Sequence, residues 1–203
     1  MISLPKLYPI VDAAFFPNTE QLLGFAEALA AAGCTLLQYR NKLGGARQIV
    51  EHANILRQRF PAPFKLIMND RPDLALLCGF DGVHVGQDDL LPEDARRLIG
   101  NAILGVSTHN PEQMSEANKT SADYLAIGPV FATSSKARPD PVIGLEGVLQ
   151  ARKVAGKPLV AIGGITRANC RSVIEAGADS VAVISDLLSA PCKSAEDFFR
   201  ILG

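Results

Sequence analysis

Short apolar runs alternate with amphipathic segments along the whole chain, and this alternation restricts the folds that the chain can adopt. Eight apolar runs of strand length occur, and each is followed by a segment with apolar residues at helical spacing. No stretch is left over for a linker or a second domain. The predicted strands are Leu7–Val11, Thr35–Tyr39, Leu66–Asn69, Val83–Gly86, Ile103–Ser107, Tyr124–Gly128, Leu159–Ile162 and Ser180–Ile184.

Eight consecutive strand–helix units are typical of a (β/α)8 TIM barrel. Most of the strands are nearly all apolar, as expected where helices cover one face and the barrel interior fills the other. We therefore predict the α/β class and a single TIM-barrel domain over residues 1–203, with a doubly wound open sheet as the alternative. The predicted helices are 19–32, 46–60, 72–77, 92–99, 111–118, 145–154 and 167–176, with closing helices near 186–189 and 195–202.

Charge and cysteine content exclude several classes of partner. The 20 basic residues are nearly balanced by 21 acidic ones and form no long run, so neither nucleic acid nor a membrane surface is expected as a partner. No leader-like or membrane-spanning apolar segment is recognised. The four cysteines lie far apart and form no metal-binding spacing, which favours inert thiols and a cytoplasmic location.

Carboxylates follow the third and fourth predicted strands. Asp70 comes directly after the third strand, and Asp89 closes the loop after the fourth. In a barrel the carboxyl ends of the strands open onto one face, where ligands bind. Two carboxylates beside Asn69 and Gln87 offer oxygen ligands of the kind that Mg²⁺ prefers. We predict a magnesium site; the alternatives are that Asp89 caps the next helix and that a neighbouring arginine pairs with Asp70.

Cations, hydroxyls and glycines follow other strands on the same face. Arg40 and Lys42, two residues apart after the second strand, can reach one anion, or they can be a solvated pair. Ser107 is free to donate to a ligand if Asn110 caps the following helix. His109 can be an acid or base or a structural residue, whereas His84, inside a strand, is expected to be a satisfied interior histidine.

The loop after the sixth strand contains three hydroxyl residues followed by a lysine, a composition suited to an anion. The loop spans 129–143, which is long for a compact domain, and we expect it to act as a lid. After the seventh strand, Gly163 and Gly164 precede a helix and predict a phosphate site, to which Ser185 after the eighth strand contributes. One monophosphate and one diphosphate substrate together imply a transfer reaction in which diphosphate leaves.

These segments together resemble the thiamine-phosphate synthase family over essentially the whole chain. The matching motifs are QYRNK (38–42), NDR (69–71), HVGQDD (84–89), GVSTH (105–109), IGPVFATSSK (127–136), IGLEG (143–147), AIGGI (161–165) and AVIS (182–185). The resemblance implies a small-molecule reaction that joins 4-amino-2-methyl-5-hydroxymethylpyrimidine diphosphate to a (carboxy)thiazole phosphate and releases diphosphate. It also implies a dissociative mechanism assisted by Mg²⁺.

The resemblance implies roles for individual residues, with Asp70 and Asp89 as the Mg²⁺ ligands. The implied catalytic residues are Lys136, Ser107 and Arg40. The implied substrate-binding residues are Gln38, Tyr39, Arg40, Asn41, Lys42, Asn69 and Ser107 for the pyrimidine diphosphate, and Thr133, Ser134, Ser135, Lys136, Gly164, Ile184 and Ser185 around the thiazole phosphate and the leaving diphosphate.

Two positions depart from the family pattern. Asn41 stands where the family usually has an acidic residue, and Ser135 stands where it often has a threonine. Two other functions stay open: a thiazole tautomerase that uses a histidine at the position of His109, and a regulatory barrel without catalysis. Neither needs the joint presence of the cations and acids named above, so transfer is preferred. The number of subunits is left open, a homodimer included.

Overall fold

A computed structural model describes residues 2–133 and 140–203 and contains a closed barrel of eight parallel strands. Each strand pairs with the next along the chain, and the last pairs with the first through the register Leu7↔Val181. The prediction of a TIM barrel is confirmed, and the open sheet is excluded because the ring of strands closes. The strands are β1 (Leu7–Asp12), β2 (Leu36–Arg40), β3 (Lys65–Asn69), β4 (Gly82–Val85), β5 (Ile103–Thr108), β6 (Tyr124–Ile127), β7 (Leu159–Ile162) and β8 (Ser180–Val183).

A helix follows every strand, and polar caps or prolines mark where several of them begin. Asn18 and Asn110 accept hydrogen bonds from backbone amides in the first turns of their helices, at 2.9 and 2.8 Å. Four helices begin with proline, whose missing N–H is not needed in the first turn. The helices are α1 (Thr19–Ala31), α2 (Ala46–Arg59), α3 (Pro72–Leu77), α4 (Pro92–Ile99), α5 (Pro111–Lys119), α6 (Gly144–Val154), α7 (Cys170–Glu175) and α8 (Pro191–Leu202).

Two helices begin three or more residues from their predicted starts. α7 begins at Cys170 rather than near residue 167, because the Asn169 side chain accepts a hydrogen bond from Thr166 N at 2.8 Å and closes a turn before the helix. α8 begins at Pro191, four residues earlier than expected. Its first turn is polar, so the apolar spacing gave no sign of it.

Strand alternation divides the core into two parts. One part fills the barrel and contains Tyr8, Ile67 and Tyr124; the other lies between the barrel and the helices. Successive residues of a strand therefore belong to different environments. In β2, Gln38 faces the interior, whereas Tyr39 packs against His52 of α2.

The amino-terminal end of the barrel repeats one arrangement before three strands, β4, β6 and β8. An aspartate immediately before the strand accepts a hydrogen bond from the first or second backbone amide of the preceding strand, and an arginine from a helix pairs with it. We call these residues the basal aspartates. They are Asp81 with Leu66 N and Arg57, Asp123 with Leu104 N and Arg96, and Asp179 with Leu159 N and Arg152, with amide–carboxylate distances of 2.9, 2.8 and 2.7 Å.

Within the described ranges, none of the helices has the length and apolar character that crossing a bilayer requires. The four cysteines are free thiols, and three of them are buried as expected.

Candidate active site

A cavity of about 440 Å³ opens at the carboxyl ends of the strands. Strand alternation and the βα loops bring most of the predicted site residues to its wall, although they are distributed over most of the chain. The predicted residues that line it are Gln38, Arg40, Lys42, Asn69, Asp70, Asp89, Ser107, Thr133, Gly164, Ile184 and Ser185.

Two predicted substrate-binding residues are not brought to the cavity. Tyr39 is 1% exposed, and its hydroxyl contacts His52 Nδ1 at 2.9 Å on the helix side of β2. The Asn41 amide donates to Tyr39 Oη and accepts from Gly44 N, so it shapes the loop after β2. Both residues alternate with Gln38 and Arg40 and therefore point away from the site. Ser134, Ser135 and Lys136 lie outside the described residues.

Asp70 and Asp89 form a close pair at the ends of β3 and β4. Asp70 adopts a left-handed backbone with φ of 64°, unusual for a residue with a side chain, and its N–H donates to His84 O at 2.8 Å. Asp89 Oδ2 accepts from Gly86 N at 2.8 Å. Burial raises the pKa of Asp70 above its usual range; Lys42 opposes this, and the Asp89 carboxylate adds to it. Asp70 thus keeps an unfavourable backbone conformation, and its carboxylate lies against that of Asp89. Two adjacent carboxylates of this kind are suited to binding a cation.

The two alternatives for these acids are not found. The residue before α4 is Leu91, and no side-chain cap is present there, so Asp89 does not cap that helix. Arg71 pairs with Asp73 rather than with Asp70. Within 2–133 and 140–203 no cluster of three or more His, Cys, Asp or Glu side chains occurs. Protein carboxylates would thus supply two ligands, and water or substrate the others, which fits Mg²⁺.

Within the described ranges, two cations of the site are each held by a carboxylate. Lys42 Nζ forms an ion pair with Asp70, and Arg40 Nη1 forms one with Asp12, whose side chain is 1% exposed. Asp12 was not among the site residues predicted from the sequence. Its position at a carboxyl end, like that of Asp70, was the signal that could have identified it.

A buried amide donor on the cavity wall lacks a partner within the described part of the chain. This group is Asn69 Nδ2. Unpaired buried donors are rare in folded proteins, and at a cavity wall such a donor points to a ligand acceptor.

Hydrogen bonds connect the loop after β6 to the loop after β7, and the loop after β7 to the loop after β8. Phe131 N donates to Gly163 O at 3.0 Å, and Arg167 after β7 bonds Asp186 after β8 at 2.9 Å. Gly164 has φ of 62°, and a Cβ there would lie 2.5 Å from Ala132 O. The predicted lid is therefore anchored at its start, while its centre, 134–139, lies outside the described residues.

Five polar side chains that line the cavity form a chain of hydrogen bonds across the barrel, and we call them the floor chain. They are Gln38, Tyr8, Tyr124, His84 and Ser107. The successive contacts are Gln38 Nε2–Tyr8 Oη at 3.1 Å, Tyr8 Oη–Tyr124 Oη at 2.8 Å, Tyr124 Oη–His84 Nδ1 at 2.9 Å and His84 Nε2–Ser107 Oγ at 2.7 Å. Burial lowers the pKa of His84 to about 4.

The floor chain confirms that His84 is a satisfied interior histidine. Asn110 caps α5 as expected, and Ser107 Oγ contacts His84 Nε2 at 2.7 Å. Tyr8 and Tyr124 were not among the predicted site residues, because a tyrosine within an apolar strand has no distinguishing local pattern. His109 is bound through Nδ1 to Gly128 O at 2.6 Å, and its Nε2 lies 3.6 Å from Asp140. His109 therefore connects β5 to the loop after β6.

Comparison with known proteins gives one consistent result. Residues 7–187 match the family model described as thiamine monophosphate synthase. The chain is 58% identical to a thiamine-phosphate synthase of Koribacter versatilis, over 99% of this chain and 97% of the relative. It is 45% identical to that of Chloroflexus aurantiacus, over 91% and 86%. A thiamine phosphate pyrophosphorylase structure from Pyrococcus furiosus superimposes with a TM-score of 0.84 and 37% identity, over 97% of this chain and 95% of the other.

Proposed function

The chain belongs to the thiamine monophosphate synthase family, and we propose that its cavity binds the pyrimidine diphosphate on one side and the thiazole phosphate on the other. The protein is a transferase of thiamine biosynthesis that forms thiamine phosphate. The residue assignments rest on one observation. Two cations, two paired carboxylates and an unpaired amide donor lie together at one wall of the cavity.

The diphosphate side is formed by Arg40, Lys42, Asn69 and Ser107. Asp70 and Asp89 would hold Mg²⁺ there, and their contact, which raises the pKa of Asp70, supports a cation between them. The ion, when bound, neutralises charge on the diphosphate oxygens. Lys42 is paired with Asp70, so substrate binding would exchange this partner for a phosphate oxygen.

The reaction breaks the bond between the pyrimidine methylene carbon and the diphosphate oxygen. Negative charge then increases on the leaving diphosphate, where fixed cations and hydroxyl donors stabilise it. Arg40 is suited to this role because Asp12 fixes its direction before substrate arrives. The thiazole nitrogen attacks the methylene carbon from the other side of the cavity. Lys136 is proposed to contact the diphosphate.

The thiazole phosphate side is formed by the loops after β6, β7 and β8. We expect the backbone near Gly164, together with Thr133 and Ser185, to contact the phosphate, since a phosphate can approach a glycine backbone closely. Ile184 would form the apolar wall of this pocket, and Ser134 and Ser135 would extend it. The connection between Arg167 and Asp186 holds two of these loops in place before the ligand binds.

Diphosphate release tests the proposal. Purified protein is given both substrates with Mg²⁺ or with EDTA, and free diphosphate is measured. Release that needs both substrates and stops with EDTA is expected. A thiazole tautomerase or a regulatory protein would release diphosphate under neither condition, and that result would overturn the assignment of the cavity to a diphosphate.

A further inference from the structure

The floor chain has a fixed number of protons, and their number limits how its hydrogen bonds can be directed. Four hydrogen bonds join its five side chains. The Gln38 amide nitrogen is a donor only, so it supplies the proton of the first bond. Four protons are available for the three other bonds, namely the three hydroxyl protons and the single ring proton of neutral His84. Each bond uses one proton, so one of the four has no acceptor inside the chain.

The cost of an unpaired buried donor decides where the extra proton lies. Tyr8 is 1% exposed and Tyr124 is 0% exposed, and each hydroxyl already has two neighbours in the chain. If either tyrosine kept the extra proton, a buried hydroxyl donor would have no acceptor, which is unfavourable. Ser107 is the last member of the chain, lines the cavity and is only partly buried, so its proton can reach a ligand or solvent. The extra proton therefore belongs to Ser107.

We propose that the floor chain runs in one direction, from Gln38 to Ser107, and presents the Ser107 hydroxyl to the cavity as a hydrogen-bond donor for a phosphate oxygen. In this direction Tyr8 donates to Tyr124, Tyr124 donates to His84 Nδ1, and His84 Nε2–H donates to Ser107 Oγ. His84 and Tyr124 are then positioning residues that act through Ser107. The nature of the acceptor, an oxygen of the diphosphate substrate, rests on the proposed function.

The backbone of β5 leaves room for the contact between Tyr124 and His84 on which the proposal depends. Gly105 is the register neighbour of His84 on one side and of Tyr124 on the other. A Cβ at position 105 would lie 2.4 Å from Tyr124 Oη and 2.5 Å from His84 Nδ1. The glycine thus leaves the space in which the central bond of the floor chain forms.

The direction also gives Ser107 a chemical preference. When Ser107 Oγ accepts a hydrogen bond from His84 Nε2–H, its own proton is directed toward the ligand. The hydrogen bond from Ser107 to the phosphate oxygen becomes stronger as negative charge develops on that oxygen. A floor chain in the opposite direction would make Ser107 donate to His84, and the site would then offer a lone pair to an anion. The direction therefore decides whether Ser107 attracts or repels the leaving group.

The ring tautomer of His84 tests the direction without any substrate. Protein labelled with ¹⁵N-histidine contains three histidines, and the His84 signals are those that disappear in His84→Gln. At pH 7.5 we expect Nε2 to carry the proton and Nδ1 to be unprotonated. A ring protonated at Nδ1 would overturn the proposal.

Two variants of similar length then test whether His84 acts through Ser107. In His84→Gln the amide can accept from Tyr124 and donate to Ser107, whereas the thioether of His84→Met is only a weak acceptor and has no proton to donate to Ser107. We expect kcat/KM for the pyrimidine diphosphate to stay within about threefold of wild type in His84→Gln and to fall about tenfold or more in His84→Met, with KM for the thiazole phosphate unchanged in both. Equal losses in the two variants would mean that His84 only fills space, and the proposal would fail.

A double variant completes the test and separates the proposal from the function on which it rests. If His84 acts through Ser107, Ser107→Ala with His84→Met should lose no more activity than Ser107→Ala alone. Fully additive losses would overturn the proposal. If the wild-type protein releases no diphosphate, the proposed function fails, and the tautomer measurement still decides the direction of the floor chain.

Discussion

Asp12 and Arg40 are register partners at the carboxyl ends of β1 and β2, and their side chains form an ion pair in which the carboxylate is almost fully buried. Asp12 also accepts a hydrogen bond from Ala14 N at 3.1 Å, so the acid itself is fixed. Arg40 is 18% exposed and reaches the cavity with its direction already set. A cation that is oriented before binding loses little conformational entropy when an anion arrives.

Replacement of Asp12 by asparagine should therefore weaken the binding of the pyrimidine diphosphate. We expect KM for this substrate to rise about tenfold and the free energy of unfolding to fall by about 1–3 kcal/mol, because a partly buried guanidinium loses its charged partner. Initial rates and urea denaturation measure the two effects. An unchanged KM would mean that Asp12 has no part in orienting Arg40.

Replacement of Asp89 by asparagine should remove a ligand of the metal site. We expect kcat to fall by about a hundredfold and Mn²⁺ binding, measured by electron paramagnetic resonance without substrate, to weaken at least about tenfold. Asp88→Asn is the matched control, since Asp88 is the adjacent acid and is exposed. Equal Mn²⁺ affinity in both variants and the wild type would contradict the assignment of Asp89.

Replacement of Gly164 by alanine should disturb the thiazole phosphate side. Gly164 and Gly79 have nearly equal φ of 62° and 65°, but a Cβ at Gly79 meets nothing within 4 Å. Both alanine variants should lose about 1–2 kcal/mol of stability from the left-handed backbone. Only Gly164→Ala should also raise KM for the thiazole phosphate, because Ala132 and Phe131 must move. Similar KM values in the two variants would place the phosphate elsewhere.

The stability of the protein should depend on pH through His52. Burial lowers the pKa of His52, which bonds Tyr39 at 2.9 Å and Thr19 at 3.1 Å. Below about pH 6.5 the unfolded chain binds a proton at this histidine before the folded protein does. The free energy of unfolding should therefore fall as the pH is lowered from 7.5 to 5.5. Urea denaturation should give a shallower decrease for His52→Gln, and parallel decreases would contradict this assignment.

Replacement of a basal aspartate should affect stability and leave catalysis unchanged. Asp123 binds Leu104 N at 2.8 Å and Arg96 at 2.7 Å at the end of the barrel opposite the cavity. We expect Asp123→Asn to lower the free energy of unfolding by about 1 kcal/mol, since the bonds to a charged group are weakened. Its kcat at 25 °C should match the wild type. A large loss of kcat would show that the two ends of the barrel are coupled.

The fold and most residues of the cavity wall could be predicted from the sequence, because both follow from the order of residues within each strand and the loop after it. Apolar periodicity locates eight strands, and a carboxylate after a buried strand, such as Asp70 or Asp89, must face the ligand end of a barrel. The same alternation directs Tyr39 to the helix side of β2, between Gln38 and Arg40, which line the cavity. The prediction of Tyr39 depended on the resemblance of the whole QYRNK motif.

The interior contacts could not be predicted. Tyr8 and Tyr124 are separated by 116 positions, and their hydroxyls meet only because the barrel closes. Nothing in the local sequence indicates the left-handed backbone of Asp70 either, because it depends on the hydrogen bond from Asp70 N to the neighbouring strand. Such features follow from tertiary structure rather than from propensity.

The basal aspartates recur before β4, β6 and β8, whereas Thr35 occupies the corresponding position before β2. At the amino-terminal end of the barrel, the aspartate contacts therefore repeat every two strands from β4 to β8. The residues around the cavity show no such repeat. The contacts that support the base of the barrel are thus separate from the residues that surround the cavity at its other end.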